Sequence, residues 1–424
     1  MEREKLNYVL FEQQKEFIDN KDFVEREQTK KVLSLLKIKL PIIITGLRRA
    51  GKSTLLKLIK REIKLKEEEY LYINFNDERL IDFSVEDFQK IIDFVTEQEY
   101  NQKSLLFIDE IQEVKKWEKW VDRIKDKHPI IITGSNSKLL SKEISTILTG
   151  RSMSLGLYPF SFREFLDAKK IDIEDVHINL KKQAVLRKYF SQYMDLGGIP
   201  KAVVDNDKRI IKEIYENIIY RDIIKKFNKN LEKNIKEASL YLLSNVSKEL
   251  SIRVFSRVIG IPNLGTAKSI LNAFDSAFLF FFVNKYDFSI RKQIQNPKKV
   301  YCIDTGFISN VGFRFSEDSG KLLENLVFIE LKRMDKEIYY FSEKVECDFL
   351  IKEGIKIKKA IQVCYEMNEK NKEREINGLM TALDKFNLNN GLILTNSQEE
   401  ELYINKKKIK VMPVWKWLLS LGEV

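Results

Sequence analysis

Apolar residues gather along this chain in two rhythms. Unbroken runs of strand length recur in its first third, at residues 40–45, 104–108 and 130–132, each flanked by polar or small residues. A parallel sheet covered on both faces needs such runs, because its strands have no wet side. Two further stretches, the aromatic-rich alternation at 70–75 and the segment 153–157, add predicted strands. Between them apolar positions repeat at helical spacing, with Leu55, Leu56, Leu58 and Ile59 on one predicted helix and residues 85–100 on another. Residues before 40 read as helices with Lys and Glu outside and Val32, Leu33, Leu35 and Leu36 inside. Alternating strand and helix predicts an α/β fold built on a parallel sheet.

Beyond residue 167 the pattern turns helical, with 184–193 and 209–227 the clearest helices and Gly197-Gly198-Ile199-Pro200 a turn. Residues 251–259 and 266–274 read as two helices joined by Gly260-Ile261-Pro262-Asn263, and 279–283 with 300–303 as a following hairpin. That is the order of a helix-turn-helix with a wing. The last part starts with a helix at 320–332 and continues into strands at 338–341, 347–351 and 360–365. A chain of 424 residues exceeds one ordinary core. The expected organisation is an α/β domain at 1–166, a helical lid at 167–230, a winged helix at 231–312 and a second α/β domain at 313–424.

The first predicted strand runs straight into Gly46-Leu47-Arg48-Arg49-Ala50-Gly51-Lys52-Ser53, and a helix follows. Strand, glycine loop and helix in that order make a phosphate-binding loop, since the glycines let backbone N–H groups converge on anionic oxygens. Lys52 then reaches the outer phosphates of ATP, Ser53 coordinates Mg2+, and Thr54 completes the segment. Arg48 and Arg49 are expected to be exposed, with at most an accessory role. The run 104–108 ends in Asp109-Glu110. At the carboxyl end of a neighbouring strand, Asp109 is placed to hold the magnesium shell and Glu110 to polarise a water for in-line attack.

The run at 130–132 leads to Thr133-Gly134-Ser135-Asn136, where Asn136, or Ser135 beside it, can hydrogen-bond the attacking water or the outer phosphate. The alternative for Asn136 is a turn residue satisfying its own backbone. Arg151 can stabilise charge in the transition state as an arginine finger, within its own subunit or on a neighbour; a surface salt bridge is the competing reading.

Composition narrows the setting. Lys and Arg number 74 against 63 Asp and Glu, a formal +11, which is compatible with a polyanionic partner although the lysines are dispersed. The three cysteines are too few and too scattered for a disulfide framework, and no Cys/His cluster has zinc spacing. A cytoplasmic setting follows. Residues 1–20 are too charged to read as a secretory signal, and the most apolar stretch, 277–283, is too short to cross a bilayer.

The segments 46–54, 105–112, 132–136, 149–151 and 157–165, continued by Tyr193-Met194-Asp195-Leu196-Gly197-Gly198-Ile199-Pro200 and Ile219-Tyr220-Arg221-Asp222, resemble the successive signatures of a prokaryotic AAA+-type ATPase family. The resemblance implies ATP binding, a winged-helix segment and a carboxyl-terminal domain of unknown function similar to restriction-endonuclease-like nucleases. On the second predicted helix of the winged segment only Lys268 and Asn272 are suited to reach bases, so DNA contact is expected to be nonspecific. Arg253, Arg257, Arg291, Lys292, Lys298 and Lys299 are the candidates for phosphate contact.

Nucleases of the restriction-endonuclease-like fold set a helix Glu, a strand Asp and Glu/Gln-x-Lys around magnesium. The matching positions are Glu324, Asp348 and Gln362, with Cys364 where the lysine belongs. A neutral thiol cannot replace that charge, so these residues are expected to be vestigial. Three readings therefore stand: an ATPase driving conformational change of a DNA- or protein-binding tail, an ATP-dependent DNA nuclease, and a non-hydrolysing nucleotide switch that recruits a protein partner. Self-assembly is compatible with each.

Overall fold

Strands β1 (Ile42–Gly46), β2 (Tyr70–Asn74), β3 (Leu105–Asp109), β4 (Ile130–Gly134) and β5 (Met153–Leu157) form a sheet in the order β2-β3-β4-β1-β5. Every neighbouring pair is parallel. All residues of β1, β3 and β4 are buried, as their continuous apolar runs require. The computed structural model describes residues 1–17, 23–98, 100, 103–135, 150–174, 179–312 and 319–420.

Successive side chains point to opposite faces of this sheet, so each strand feeds two cores. Ile43, Ile73, Ile108 and Ile132 pack with the helices Phe88–Glu97 and Trp117–Ile124, where Phe88 stacks on Trp120 with ring centroids 4.2 Å apart. Ile42, Ile44, Phe107 and Ile131 pack with Leu55, Leu56 and Ile59 of the helix Lys52–Ile63, and with Phe17, which stacks on Tyr72 at 4.0 Å. The strand order has a consequence for chemistry. β4 lies between β1, which carries the glycine loop, and β3, which carries the acids.

Contacts divide the chain into two compact units, Met1–Tyr158 with Ser276–Phe278, and Pro159–Asp275 with Leu279–Val424. The second unit opens with helices, among them Phe162–Ala168, Leu180–Leu196, Pro200–Asp205 and Arg209–Ile218. The single helix expected over 209–227 is broken instead into an α segment ending at Ile218, a π turn Ile219–Ile223 and a 3-10 turn Ile224–Lys226. Ile218 and Ile223 are both fully buried, as are their neighbours Ile219 and Ile224 nearly so. The i→i+5 bonding of a π turn widens the helix so that positions five apart lie nearer one face than in an α turn, which keeps both pairs inside. The stretch expected as one helix from 85 to 100 likewise begins with the 3-10 turn Val85–Asp87, closed by a reciprocal Ser84–Asp87 cap.

The helices Ile252–Val258 and Leu264–Ser276 precede a three-stranded antiparallel sheet of β6 (Glu249–Leu250), β7 (Phe280–Asn284) and β8 (Lys298–Cys302), in the order β6-β8-β7. After the helix Ser319–Arg333 come β9 (Glu337–Ser342), β10 (Glu346–Glu353), β11 (Lys356–Val363), β12 (Asn390–Thr395), β13 (Glu400–Ile404) and β14 (Lys407–Pro413). They form a mixed sheet in the order β13-β14-β12-β11-β10-β9. Half of it, with the helices Lys372–Lys385 and Val414–Ser420, lies beyond the last strand expected from the sequence. Among the described residues no helix is long and apolar enough to cross a membrane.

Candidate nucleotide site and the acidic centre of the tail

The glycine loop emerges from the carboxyl end of β1, and Gly51 adopts a φ of 95° before the helix Lys52–Ile63 begins. Only glycine takes that conformation without cost. No side chain caps the amino end of this helix. Its first N–H groups are therefore left for an anion, the fit expected of a phosphate-binding loop. Lys52 is buried, with Nζ donating to the carbonyls of Gly46 and Leu47 at 3.2 Å each and lying 3.4 Å from Glu110 Oε1. Leu47 and Ala50 are buried, and Ser53 and Thr54 are half-buried. Arg49 is exposed at φ 68°, whereas Arg48 is half-buried and close enough to Glu110 to favour its charge.

Asp109 is fully buried at the end of β3 and gathers hydroxyl groups from three elements. Ser53 Oγ donates to Oδ2 at 2.5 Å and Tyr72 Oη to the same oxygen at 3.0 Å, while Thr133 Oγ1 donates to Oδ1. Burial pushes the Asp109 carboxyl up, and the neighbouring Glu110 adds to this against the three hydroxyl donors. A divalent cation at that point would offset both effects. Ser53 and Asp109 together offer hard oxygen ligands of the kind magnesium takes.

Glu110 stands in a left-handed conformation at φ 53°, turning its side chain toward the loop rather than along the strand. Its carboxylate meets Lys52 and accepts from Gln112 Nε2 at 2.5 Å, and the same amide nitrogen reaches Ser135 Oγ at 3.5 Å. Burial alone would favour the neutral acid, but Lys52, Gln112 and Arg48 outweigh it and hold the carboxyl below its ordinary value. Glu110 is thus an ionised carboxylate held in one orientation.

Tyr72 and Thr133 were not expected here. Thr133 also accepts from the Glu110 N–H at 3.1 Å. Its signal is a lone hydroxyl at the end of an otherwise aliphatic strand, and for Tyr72 a phenol in the strand beside β3. Asn136 lies outside the described residues. Arg151 is placed on the surface, 58% exposed, with Nη1 3.3 Å from Asp122 on the helix Trp117–Ile124.

In the second unit Glu324 and Asp348 do meet, and between them stands a residue from another sheet. Lys299 Nζ lies 2.9 Å from Glu324 Oε1, 3.0 Å from Asp348 Oδ1 and 2.6 Å from Glu346 Oε1. Lys299 is 1% exposed. Its expected contact with nucleic-acid phosphates is therefore corrected: the ammonium is buried among carboxylates. Gln362 accepts from the Asp348 N–H at 3.3 Å and donates to Glu375 at 2.7 Å. Cys364 is buried, and burial pushes its thiol up to about 11, so it cannot supply a charge at neutral pH.

A parallel sheet of this strand order, with a glycine loop after β1 and an acidic pair ending β3, defines an AAA+-type P-loop ATPase fold. The AAA domain family model matches residues 39–166, and a domain of unknown function, DUF8612, matches residues 187–318. An uncharacterized protein of Methanocaldococcus jannaschii is 35% identical over 399 residues, covering 89% of this chain and 88% of that protein. An uncharacterized protein of Haemophilus influenzae is 29% identical over 393 residues, covering 89% and 94%. A Walker-type ATPase of Pyrococcus abyssi is similar over 69% of this chain and 99% of its own, at 15% identity and a TM-score of 0.46. The chain belongs to the prokaryotic AAA+-type P-loop ATPase family.

Proposed function

We propose that the chain hydrolyses ATP with magnesium and uses the cycle to change the conformation of a tail that contacts DNA or protein. The observation that carries this reading is the meeting of Ser53 and Lys52 from the glycine loop with Asp109 and Glu110 from β3. Lys52 releases the loop carbonyls and binds the outer phosphates, and Ser53 and Asp109 hold the metal. Bound Mg2+ supplies charge neutralisation of the phosphate oxygens. Glu110 accepts a proton from the attacking water, and Gln112 holds its carboxylate in place. Asn136 reads the outer phosphate and Arg151, exposed, acts across a contact between chains. The domain divisions at 166, 230 and 312 and the winged-helix and nuclease-like character of the tail belong to this proposal.

Phosphate release by the wild type, Lys52→Ala and Glu110→Gln tests it. Both variants are expected to fall to background, a loss of roughly 100-fold or more for a removed general base. Only Glu110→Gln should retain ATP, and chelating magnesium should stop the wild type. Equal rates in all three proteins would overturn the reading. Tight ATP binding by a wild type that turns over at background would identify a non-hydrolysing switch instead.

A further inference from the structure

Outside the nucleotide site, a heavily charged buried cluster among the described residues surrounds Lys299. Its three carboxylates come from the helix Ser319–Arg333 and from β10, whereas Lys299 itself comes from β8 of the three-stranded sheet. An ammonium has three N–H donors, and three carboxylate oxygens lie within 3.0 Å of this one. Its donor capacity is filled.

The carboxylates are committed as well. Glu324 Oε1 also accepts from Tyr301 Oη at 2.6 Å, and Asp348 Oδ2 accepts from the Val363 N–H at 2.9 Å. The Tyr340 ring stands 5.8 Å from the ammonium. Burial opposes the charge on Lys299, yet Glu324, Asp348 and Glu346 together hold its proton well above the usual lysine range. The same burial raises the Glu324 and Glu346 carboxyls, and the ammonium between them opposes that rise.

We propose that Lys299 is a resident cation that takes the place of a divalent metal in the acidic centre of the tail, making the tail a metal-independent, non-cleaving module. Its ammonium nitrogen sits at the point on which Glu324, Glu346 and Asp348 converge. Oxygen-to-nitrogen distances of 2.6–3.0 Å suit an ammonium, whereas magnesium takes such oxygens at about 2.0–2.1 Å, so a divalent ion could occupy this point only if the three acids drew inward once the lysine was gone. Only the metal can activate water or bind a phosphate, because its remaining coordination positions are open. The lysine has none left. Because it enters from β8, it also ties the three-stranded sheet to the six-stranded one through buried charge.

The test counts bound Mn2+ by electron paramagnetic resonance, without nucleotide, in the full chain. Wild type and Glu346→Gln should bind the same number, since the centre takes no metal; Glu346 is partly exposed, its side chain at 41%, so this variant is expected to fold. Lys299→Met should bind one more Mn2+ than wild type, unfold its second unit at a lower temperature, and recover that transition with added Mn2+, while the second-unit transition of the wild type does not respond. Should Lys299→Met prove insoluble, Lys299→Gln keeps all three acids with an amide donor among them, and the unfolding comparison with Mn2+ is made on it. Plasmid should remain uncut by wild type and by Cys364→Lys in Mg2+ or Mn2+. An extra Mn2+ in wild type relative to Glu346→Gln, Mn2+-independent unfolding of the Lys299 variants, or cutting by Cys364→Lys would each overturn the proposal.

Discussion

Thr133 serves two acids through one hydroxyl. It donates to the Asp109 carboxylate and accepts from the Glu110 backbone N–H, so it fixes the spacing of the groups assigned to metal and to water. Thr133→Val keeps the shape and removes both bonds. A buried donor left without a partner costs about 1–3 kcal/mol, so denaturant unfolding of the first unit should show a loss of about 2 kcal/mol. Phosphate release should fall at least tenfold, and Thr133→Ser should restore most of both. Unchanged turnover in Thr133→Val would remove this residue from the site. Lys52, Ser53, Asp109 and Glu110 were legible in the sequence because each half of the site is contiguous there, in the glycine loop or at the end of one apolar run. Thr133 and Tyr72 were not, since they reach Asp109 only through the lateral order of strands, which no local spacing encodes. Lys299 was misplaced for the same reason: a lysine in a basic pair reads as surface until the fold buries it.

At the scale of elements, the turn at Gly197-Gly198 and the start of the helix Thr305–Asn310 form one joint. Asp304 caps the helix Thr305–Asn310 by accepting from the Gly306 N–H at 2.8 Å, and accepts from the Gly198 N–H at 2.7 Å. A Cβ on Gly197, whose φ is 74°, would come within 1.8 Å of Asp304 Oδ1, and one on Gly198 within 2.3 Å of the Phe160 carbonyl. Gly198→Ala is therefore expected to destabilise the second unit by about 1–3 kcal/mol, read by denaturant unfolding. Burial pushes the Asp304 carboxyl up to about 7, against its two backbone donors and the nearby Arg333. A carboxyl raised by folding stabilises most below its unfolded value, near 4, and that contribution is lost as pH climbs through about 7. The second unit should lose on the order of 4 kcal/mol across this window through Asp304. Asp304→Asn should be weaker throughout, because an amide nitrogen faces an N–H donor, yet flatter in its pH dependence between pH 4 and 7. A parallel slope in the two proteins would place the proton elsewhere.

Among the described residues, two of the buried charge centres bear on function, and each lies within one compact unit: Lys52 with Asp109 and Glu110 in the first, Lys299 with Glu324, Glu346 and Asp348 in the second. Ligands that bind only the native state stabilise what they bind, by about 2.7 kcal/mol at a hundredfold excess over the dissociation constant. Two units with separate cores are not required to melt as one, and a single unfolding free energy need not describe them. Calorimetric unfolding should accordingly show two transitions. ATP with Mg2+ should raise the one that Lys52→Ala renders insensitive to nucleotide, and Lys299→Met should lower the other. The nucleotide cycle can do work on the tail only if these transitions influence each other, since a ligand shifts a conformation only by its different affinity for two states. In Glu110→Gln, where ATP is held without turnover, nucleotide should therefore also move the transition governed by Lys299, by an amount that Lys52→Ala abolishes. If nucleotide moved the first transition alone in Glu110→Gln, ATP would be bound without reaching the tail, and the proposed drive on that tail would fail while the chemistry of the nucleotide site stood.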